Sequence, residues 1–471
     1  MNTPKSDTKG NIKLYDLESL LQPEDVVARN ARNFDNLSIN NSSLDNNQNN
    51  SVFLGINWEG ANFSDHKSDS TSANENSLSL KSIVGYVESI KENYTEQKLN
   101  DLKSYIVVFN KNVVNVNAEA LRVASGIGGN ITHIYESVLK GFAVEIPEAA
   151  IAALRNNPNI AYIEEDRPVS LIDGFDSSSQ TVNNSISATS TQQTPWGIDR
   201  VNGGINASNI SNVYAFVLDT GIDLQHTDLN IDTTYGFNAF KRGQDSRTLD
   251  DLNGHGTHVA GTIGAVDNSF GVIGVAAGAT VVPIKVLNSN GSGRYSGIIA
   301  GINHVKNVVN TLNSDADPNN DIKGVANLSL GGSYSKALND ALIGAAGDNL
   351  KFVVAAGNES VYAGNTSPAS ASQNQDDIYA IAAFNSSDAW ASFSNYGLPG
   401  DLVDYAQPGV NILSTWNDGG YKTISGTSMA SPHFAGLQFL ELAGLTSITT
   451  DGSILRTGTS ELYTVAVSTV I

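Results

Sequence analysis

From about residue 195 to residue 443 the chain repeats one pattern, short and almost wholly apolar runs separated by segments of helical character. VYAFVLD, TVVPIKVL, GVANLSL and KFVVAAG carry apolar side chains at consecutive positions rather than alternate ones. A strand that is apolar on both faces must be covered on both faces, and helices between successive strands supply that cover. The pattern predicts an α/β domain with a mainly parallel sheet. In such folds polar chemistry collects at the carboxyl ends of the strands.

The preceding residues have a different texture. Residues 1–100 are rich in Asn and Ser, as in NLSINNSSLDNNQNNS. They read as a largely disordered leader with short helical patches near residues 15–30 and 83–93. Within residues 101–172, KSYIVVF is a strand run, AEALRVASGIG a helical one, and ITHIYESVLKGFAVEIP two strands with a turn at Lys140–Gly141. PEAAIAALRNNPNI then predicts an amphipathic helix ended by Pro158, and AYIEEDRPV a last strand. The order β-α-β-β-α-β is that of a small α+β, ferredoxin-like domain. Residues 173–194 form a polar linker.

Composition limits the chemistry. A chain of 471 residues without cysteine has no disulfides, no thiolate nucleophile and no cysteine-built zinc site. A net charge of −21 argues against a nucleic-acid backbone as partner, because phosphate binding needs clustered Lys and Arg. No run reaches the ~20 apolar residues of a membrane-spanning helix. The N-terminal stretch shows no basic region followed by an apolar one, so the expectation is either retention inside the cell or secretion by a route without an N-terminal signal.

Three polar residues fall where an α/β sheet gathers function. Asp219 ends VYAFVLD, His255 lies in NGHGTHVAG at a Gly-rich entry to a helix, and Ser428 sits in SGTSMASPHFAG. A serine hydroxyl becomes a nucleophile when an imidazole takes its proton, and a carboxylate fixes the tautomer of that imidazole. A helix start at Ser428 would bring backbone N–H groups to a developing oxyanion, with Pro432 expected in the first helical turn. Each residue also has an ordinary reading. Asp219 suits a turn, Ser428 an N-cap, and His255 with His258 a metal pair lacking a third ligand.

Together, in the order Asp, His, Ser, these residues follow the chain order of subtilisin. VLDTGID, NGHGTHVAGTI, NLSLGG, VVAAGN, SFSNYG and ISGTSMASPHFAG all resemble motifs of the subtilisin family (subtilases), most closely its proteinase K-type branch. The resemblance runs from about Thr191 to Ala443. It implies a three-layer subtilisin-like fold and a serine endopeptidase with Asp219, His255 and Ser428 as its triad. Asn358 of AAGNES would then be an oxyanion donor.

The same resemblance implies a substrate site. Gly291, Ser292 and Gly293 on one side, and Ser329, Leu330 and Gly331 on the other, would be edge strands between which a peptide inserts. Ala355, Ala356 and Gly357 would wall the first pocket and Tyr295 a more distant one, favouring cleavage after apolar or aromatic residues. A structural Ca²⁺ site would use Gln192, Asp228 and Asn268 by side chain and Val266, Phe270 and Val272 by carbonyl. Asp404 resembles the carboxylate of a second calcium site, and residues 315–321 read as an exposed loop or a third.

Residues 101–172 resemble the inhibitor I9-type propeptide that subtilases carry as intramolecular chaperone and temporary inhibitor. Its last segment would thread into the active site and be cut close to Ser190–Thr191, with any bond from about Ser170 to Thr194 left open. The catalytic domain would then span residues 195–471, with a tail that resembles the family less after Gly436. The partners expected are protein or peptide substrates and the chain's own propeptide, with the enzyme a monomer. A catalytically silent scaffold of the same fold is the rival reading.

Overall fold

The computed structural model describes residues 102–171, 191–314, 321–398 and 402–471, together with an antiparallel backbone pair of Ser38–Ile39 and Ile56–Asn57. The expectations for the leader, for the linker up to residue 190 and for residues 315–320 lie outside the described residues.

The first domain is built from β1 (Leu102–Phe109), α1 (Val116–Ile127), β2 (Asn130–Tyr135), β3 (Gly141–Pro147), α2 (Ile151–Arg155) and β4 (Ile160–Glu165). Its four strands pair antiparallel in the order β2-β3-β1-β4. This is the split βαβ arrangement that the run of elements predicts. Asn115 caps α1 by accepting from the Ala118 N–H, and Gly128 ends it at a φ of +64°. The helix lays Val116, Ala120 and Val123 on Val107, Phe142 and Val144 of the sheet. Burying Phe142 completely stabilises the domain by about 1.5–3 kcal/mol. The second helix is shorter than its apolar pattern suggests. Glu148–Ala150 wind as a tighter 3₁₀ turn, and the helix stops at Arg155, before Pro158.

After β4 the chain bends into β5 (Pro168–Leu171), which leaves this sheet altogether. The second domain follows with β6 (Val213–Asp219), α3 (His255–Gly264), β7 (Thr280–Lys285), β8 (Ser292–Arg294), α4 (Tyr295–Leu312) and β9 (Lys323–Leu328). Then come β10 (Leu330–Ser333), α5 (Lys336–Ala345), β11 (Leu350–Ala355), β12 (Ile378–Phe384), β13 (Tyr405–Pro408) and the hairpin β14 (Ile412–Trp416) with β15 (Gly420–Ile424). The domain closes with α6 (Thr427–Leu442), β16 (Thr446–Leu455) and β17 (Leu462–Val470).

The main sheet runs β7-β6-β9-β11-β12-β13-β17-β16, with the short Asn230–Ile231 and Phe237–Asn238 beside β7. All neighbours are parallel except the β16–β17 pair. Both faces are covered, as the consecutive apolar residues require. Along β6, Ala215 and Val217 pack with Val259 and Ile263 of α3 and Met429 and Phe434 of α6. Phe216 and Leu218 face Ile298 and Ile302 of α4 and Leu338 of α5. The sequence after Gly436 continues this architecture: α6 runs on to Leu442, and the β16–β17 hairpin extends the sheet through Val465 opposite Ala406.

Candidate active site

Asp219 is the last residue of β6 and His255 the first of α3. Two contacts bring them together, His255 Nδ1 lying 2.9 and 3.0 Å from the two carboxylate oxygens of Asp219. Glycine makes the approach possible. Any Cβ on Gly256 would overlap the Gly221 carbonyl and touch Asp219. Because Asp219 accepts from Nδ1–H, the Nε2 lone pair of His255 is the basic position.

Asp251 joins the two elements, and the sequence reading missed it. Its buried carboxylate accepts from Thr220 Oγ1 (2.8 Å), the N–H groups of Asn253, Gly254 and Thr257 (2.9 Å each) and Thr257 Oγ1 (2.7 Å). It thereby satisfies the orphan donors at the start of α3 while holding the residue after Asp219. An Asp four residues before a helix-opening His was the available signal. Lys285, fully buried, adds a cation beneath the same turn through the carbonyls of Thr220 and Asp250 and an ion pair with Asp245 at 3.2 Å.

Ser428 is the second residue of α6, and its Oγ donates to the Ser329 carbonyl at 3.2 Å. Pro432 is the sixth residue of this helix, not part of its first turn as expected. A proline there cannot donate to the carbonyl four residues back, which is that of Ser428. The hydroxyl of Ser329 takes the missing place, donating to Ser428 O at 2.7 Å. Ser329 in turn accepts from Asn327 Nδ2 at 2.9 Å, and Ser431 donates to Asn327 Oδ1 at 2.7 Å.

Asn358 follows β11. Its Oδ1 accepts from the Thr427 N–H (2.9 Å) and hydroxyl (2.8 Å), which turns the Nδ2 donor to the opposite side of the amide. The other histidines of the two motifs are structural. His258 donates from Nε2 to the carbonyls of Ile412 and Lys422, and burial lowers its pKa to about 3. His433 pairs through Nδ1 with Met429 O and is lowered by burial to about 4.

The two expected edge segments flank a strand of the chain itself. Segment β5 lies antiparallel between β8 and β10, with Ser170 opposite both Ser292 and Gly331, Val169 opposite Gly293 and Leu171 opposite Leu330. The Leu171 N–H donates to Gly291 O at 2.8 Å. Val169 is buried in the same apolar cluster as Tyr295, whose hydroxyl donates to Ser333 O. Ala355 and Ala356 are buried at the end of β11, and Gly357 follows at a φ of +112°.

The first domain also reaches the helices beside the cleft. Asp166 accepts from the Ser296 N–H (2.9 Å) and Oγ (2.8 Å) at the start of α4, where the N-cap Arg294 makes no capping bond. Glu164 accepts from the Ala337 N–H at 3.0 Å at the start of α5. Tyr162 donates to Asp340 at 2.6 Å and Tyr135 to Ser296 O at 2.9 Å. Burial raises the pKa of Asp166, with the Ser296 hydrogen bonds and the Arg294 charge opposing it.

Most of the candidate calcium ligands converge. Gln192 Nε2 lies 2.8 Å from Val266 O and 3.4 Å from Val272 O. Asp228 is fully buried, with Asn268 Nδ2 at 2.6 Å, the Val272 N–H at 3.0 Å and the Tyr421 hydroxyl at 3.1 Å. Burial raises its pKa, and these three hydrogen-bond partners are neutral. Phe270 joins through its N–H, which donates to Asn268 Oδ1 at 2.8 Å. Asp404 is not part of this cluster; it borders β13 and accepts from the Ala380 N–H at 2.7 Å.

Comparison with known proteins identifies the two domains. Residues 211–450 match the model of the Subtilase family, and residues 104–172 that of Peptidase inhibitor I9. The chain is 39% identical over 352 residues to the Subtilisin-like serine protease AsES of Sarocladium strictum, covering 73% of this chain and 80% of that protein. It is 36% identical over 342 residues to the Extracellular serine proteinase of Thermus sp. (69% and 72% covered) and 34% identical over 319 residues to Proteinase R of Parengyodontium album (66% and 72%). The chain belongs to the subtilase family of serine proteases and carries the family's I9 propeptide domain.

Proposed function

We propose that the chain is a self-processing endopeptidase in which Ser428, His255 and Asp219 form the catalytic triad. The observation that carries this reading is the His255–Asp219 pair at the end of β6, together with Ser428 on the Ser329 carbonyl at the end of a peptide-filled cleft. His255 Nε2 takes the Ser428 proton as Oγ adds to the scissile carbonyl. The oxyanion accepts from Asn358 Nδ2 and the Ser428 N–H. His255 then returns the proton to the leaving amine, and water releases the acyl group by the same route. Asp219 holds the imidazolium throughout. Loss of the Asn358 donor would cost about 2.7–4 kcal/mol of transition-state stabilisation, a magnitude that comes from subtilisin itself.

The small residues Ala355, Ala356 and Gly357 leave room for an apolar or aromatic side chain before the scissile bond, and Tyr295 accepts a second apolar side chain further back, where Val169 now sits. The register of β5 supports a first self-cleavage just after this strand. Leu171 lies opposite Leu330, one residue from Ser329, the partner of Ser428. The first cut proposed from this register is the Ile172–Asp173 bond. A first cut near Ser190–Thr191 fits less well, because Thr191 and Gln193 are already bridged to Phe270 and Val272. Removal of the linker is a second, separate cleavage.

Calcium fits the cluster around Asp228. A carboxylate, two side-chain amides and backbone carbonyls are the oxygen donors this ion takes, once the amides of Gln192 and Asn268 turn their oxygens inward. Bound there, it would tie residues 191–193 to the loop after α3 and balance a buried carboxylate. The relative named an extracellular serine proteinase supports a secreted enzyme.

Purified wild type and Ser428→Ala, followed by gel and mass spectrometry, test the reading. The wild type should yield a fragment ending at Ile172 and label at Ser428 with a serine-directed phosphonate, while Ser428→Ala stays intact. A wild type that stays full length and unlabelled refutes it.

A further inference from the structure

The SFSNYG motif has no role in the mechanism above, although its asparagine is completely buried. We propose that Asn395 is the positioning residue that holds the Asn358 oxyanion donor and the wall of the adjoining substrate pocket; this rests on the peptidase reading. Every hydrogen-bonding group of its side chain is spent on one turn. Nδ2 donates to Ala356 O at 3.0 Å and to Glu359 Oε2 at 2.7 Å. Oδ1 accepts from the N–H groups of Glu359 at 3.1 Å and Val361 at 2.9 Å. The Asn395 N–H adds a bond to Gly357 O at 2.9 Å, and the neighbouring Ser360 N–H is taken by Phe393 O.

Asn358 is thus fastened on both sides by one side chain, while Thr427 fixes its amide from below. The fit is close: Gly357, at a φ of +112°, presses its backbone onto the Asn395 amide so tightly that a Cβ there would overlap it. An oxyanion donor works when it is already aimed at the place where charge develops, so a turn that drifts by a fraction of an ångström loses rate before it loses binding. No other side chain in the described residues offers this turn two donors and two acceptors together.

The test is a double-mutant cycle on the self-processed enzyme with a peptide amide carrying an apolar residue before the scissile bond. Asn395→Asp keeps the shape but points a carboxylate oxygen at Ala356 O and at Glu359. It should lower kcat about tenfold or more with KM within about threefold, and the loss should shrink to about twofold beside Asn358→Ala. An equal loss in both backgrounds, or a loss confined to KM, overturns the assignment. Should Asn395→Asp not accumulate folded, Glu359→Ala carries the same cycle, since it removes one partner of the Asn395 amide from an exposed side chain. A fall in kcat that vanishes beside Asn358→Ala supports the proposal, and an equal fall in both backgrounds, or none, overturns it. A wild type that neither processes itself nor hydrolyses the amide refutes the peptidase reading, which is a different result from an active wild type with an additive cycle.

Discussion

The proline inside α6 makes a sharp prediction about Ser329. Pro432 has no N–H for the Ser428 carbonyl, and the Ser329 hydroxyl supplies the bond instead at 2.7 Å. Replacing Ser329 by alanine strands that carbonyl in a fully buried site, at a cost of about 1–3 kcal/mol, and also removes the acceptor of Asn327 Nδ2. The Pro432→Ala change restores a backbone N–H in the normal helical position. In a Pro432→Ala chain the same Ser329→Ala change should therefore cost about 1–2 kcal/mol less. The experiment is best done in Ser428→Ala, which keeps the carbonyl and abolishes self-digestion. Thermal midpoints at one fixed scan rate give the readout, at about 2–4 °C per kcal/mol for a domain of this size. Ser329→Ala should lower the midpoint by about 2–12 °C with Pro432 present and by about 2–8 °C less in the Pro432→Ala chain. Equal shifts in the two backgrounds would refute the exchange of one donor for another.

Three further outcomes are expected. Asp166→Ala should weaken inhibition by the cleaved propeptide about 10–100-fold, because the Ser296 N–H and hydroxyl lose their acceptor, while Asp166→Asn should cost much less. Burial raises the pKa of Asp166 above its ordinary value, so its contribution is complete below the ordinary carboxylate pKa and is lost as pH rises through the raised value; inhibition constants should tighten on acidification in the wild type and less so in Asp166→Asn. A calcium chelator should lower the thermal midpoint by about 5–10 °C, the effect of losing a ligand held at a hundredfold excess over its Kd, and a midpoint unmoved in wild type and Asp228→Ala alike argues against the site.

The residues proposed for the chemistry could be singled out because each stands in a long local motif at a strand or helix end. The sheet was legible because its strands are apolar on both faces. What the sequence hid depends on distant partners. Asp251 looks like one more loop carboxylate until five donors from two elements meet on it. Pro432 reads as a first-turn residue because the side chain that compensates for its missing N–H lies about a hundred positions earlier. The linker favours a cleavage beside Thr191 but leaves bonds from about Ser170 onward open, and the pairing of Ser170 and Leu171 with β10 supports the upstream cut proposed above. The hairpin β16–β17 was the least legible part, since its edge strand alternates too weakly to announce itself.

On the proposed mechanism the strand between β8 and β10 would also set how the enzyme is switched on. While the chain is whole, the 19 residues 172–190 tether that strand to its own cleft, at an effective concentration of about a millimolar. Once the proposed cut after Ile172 is made, the same contacts would hold a separate molecule, and occupancy would follow the total concentration of enzyme. A complex that stays closed where it is crowded opens when it is diluted, with no change in any contact. Cleavage arms the enzyme, and dilution fires it.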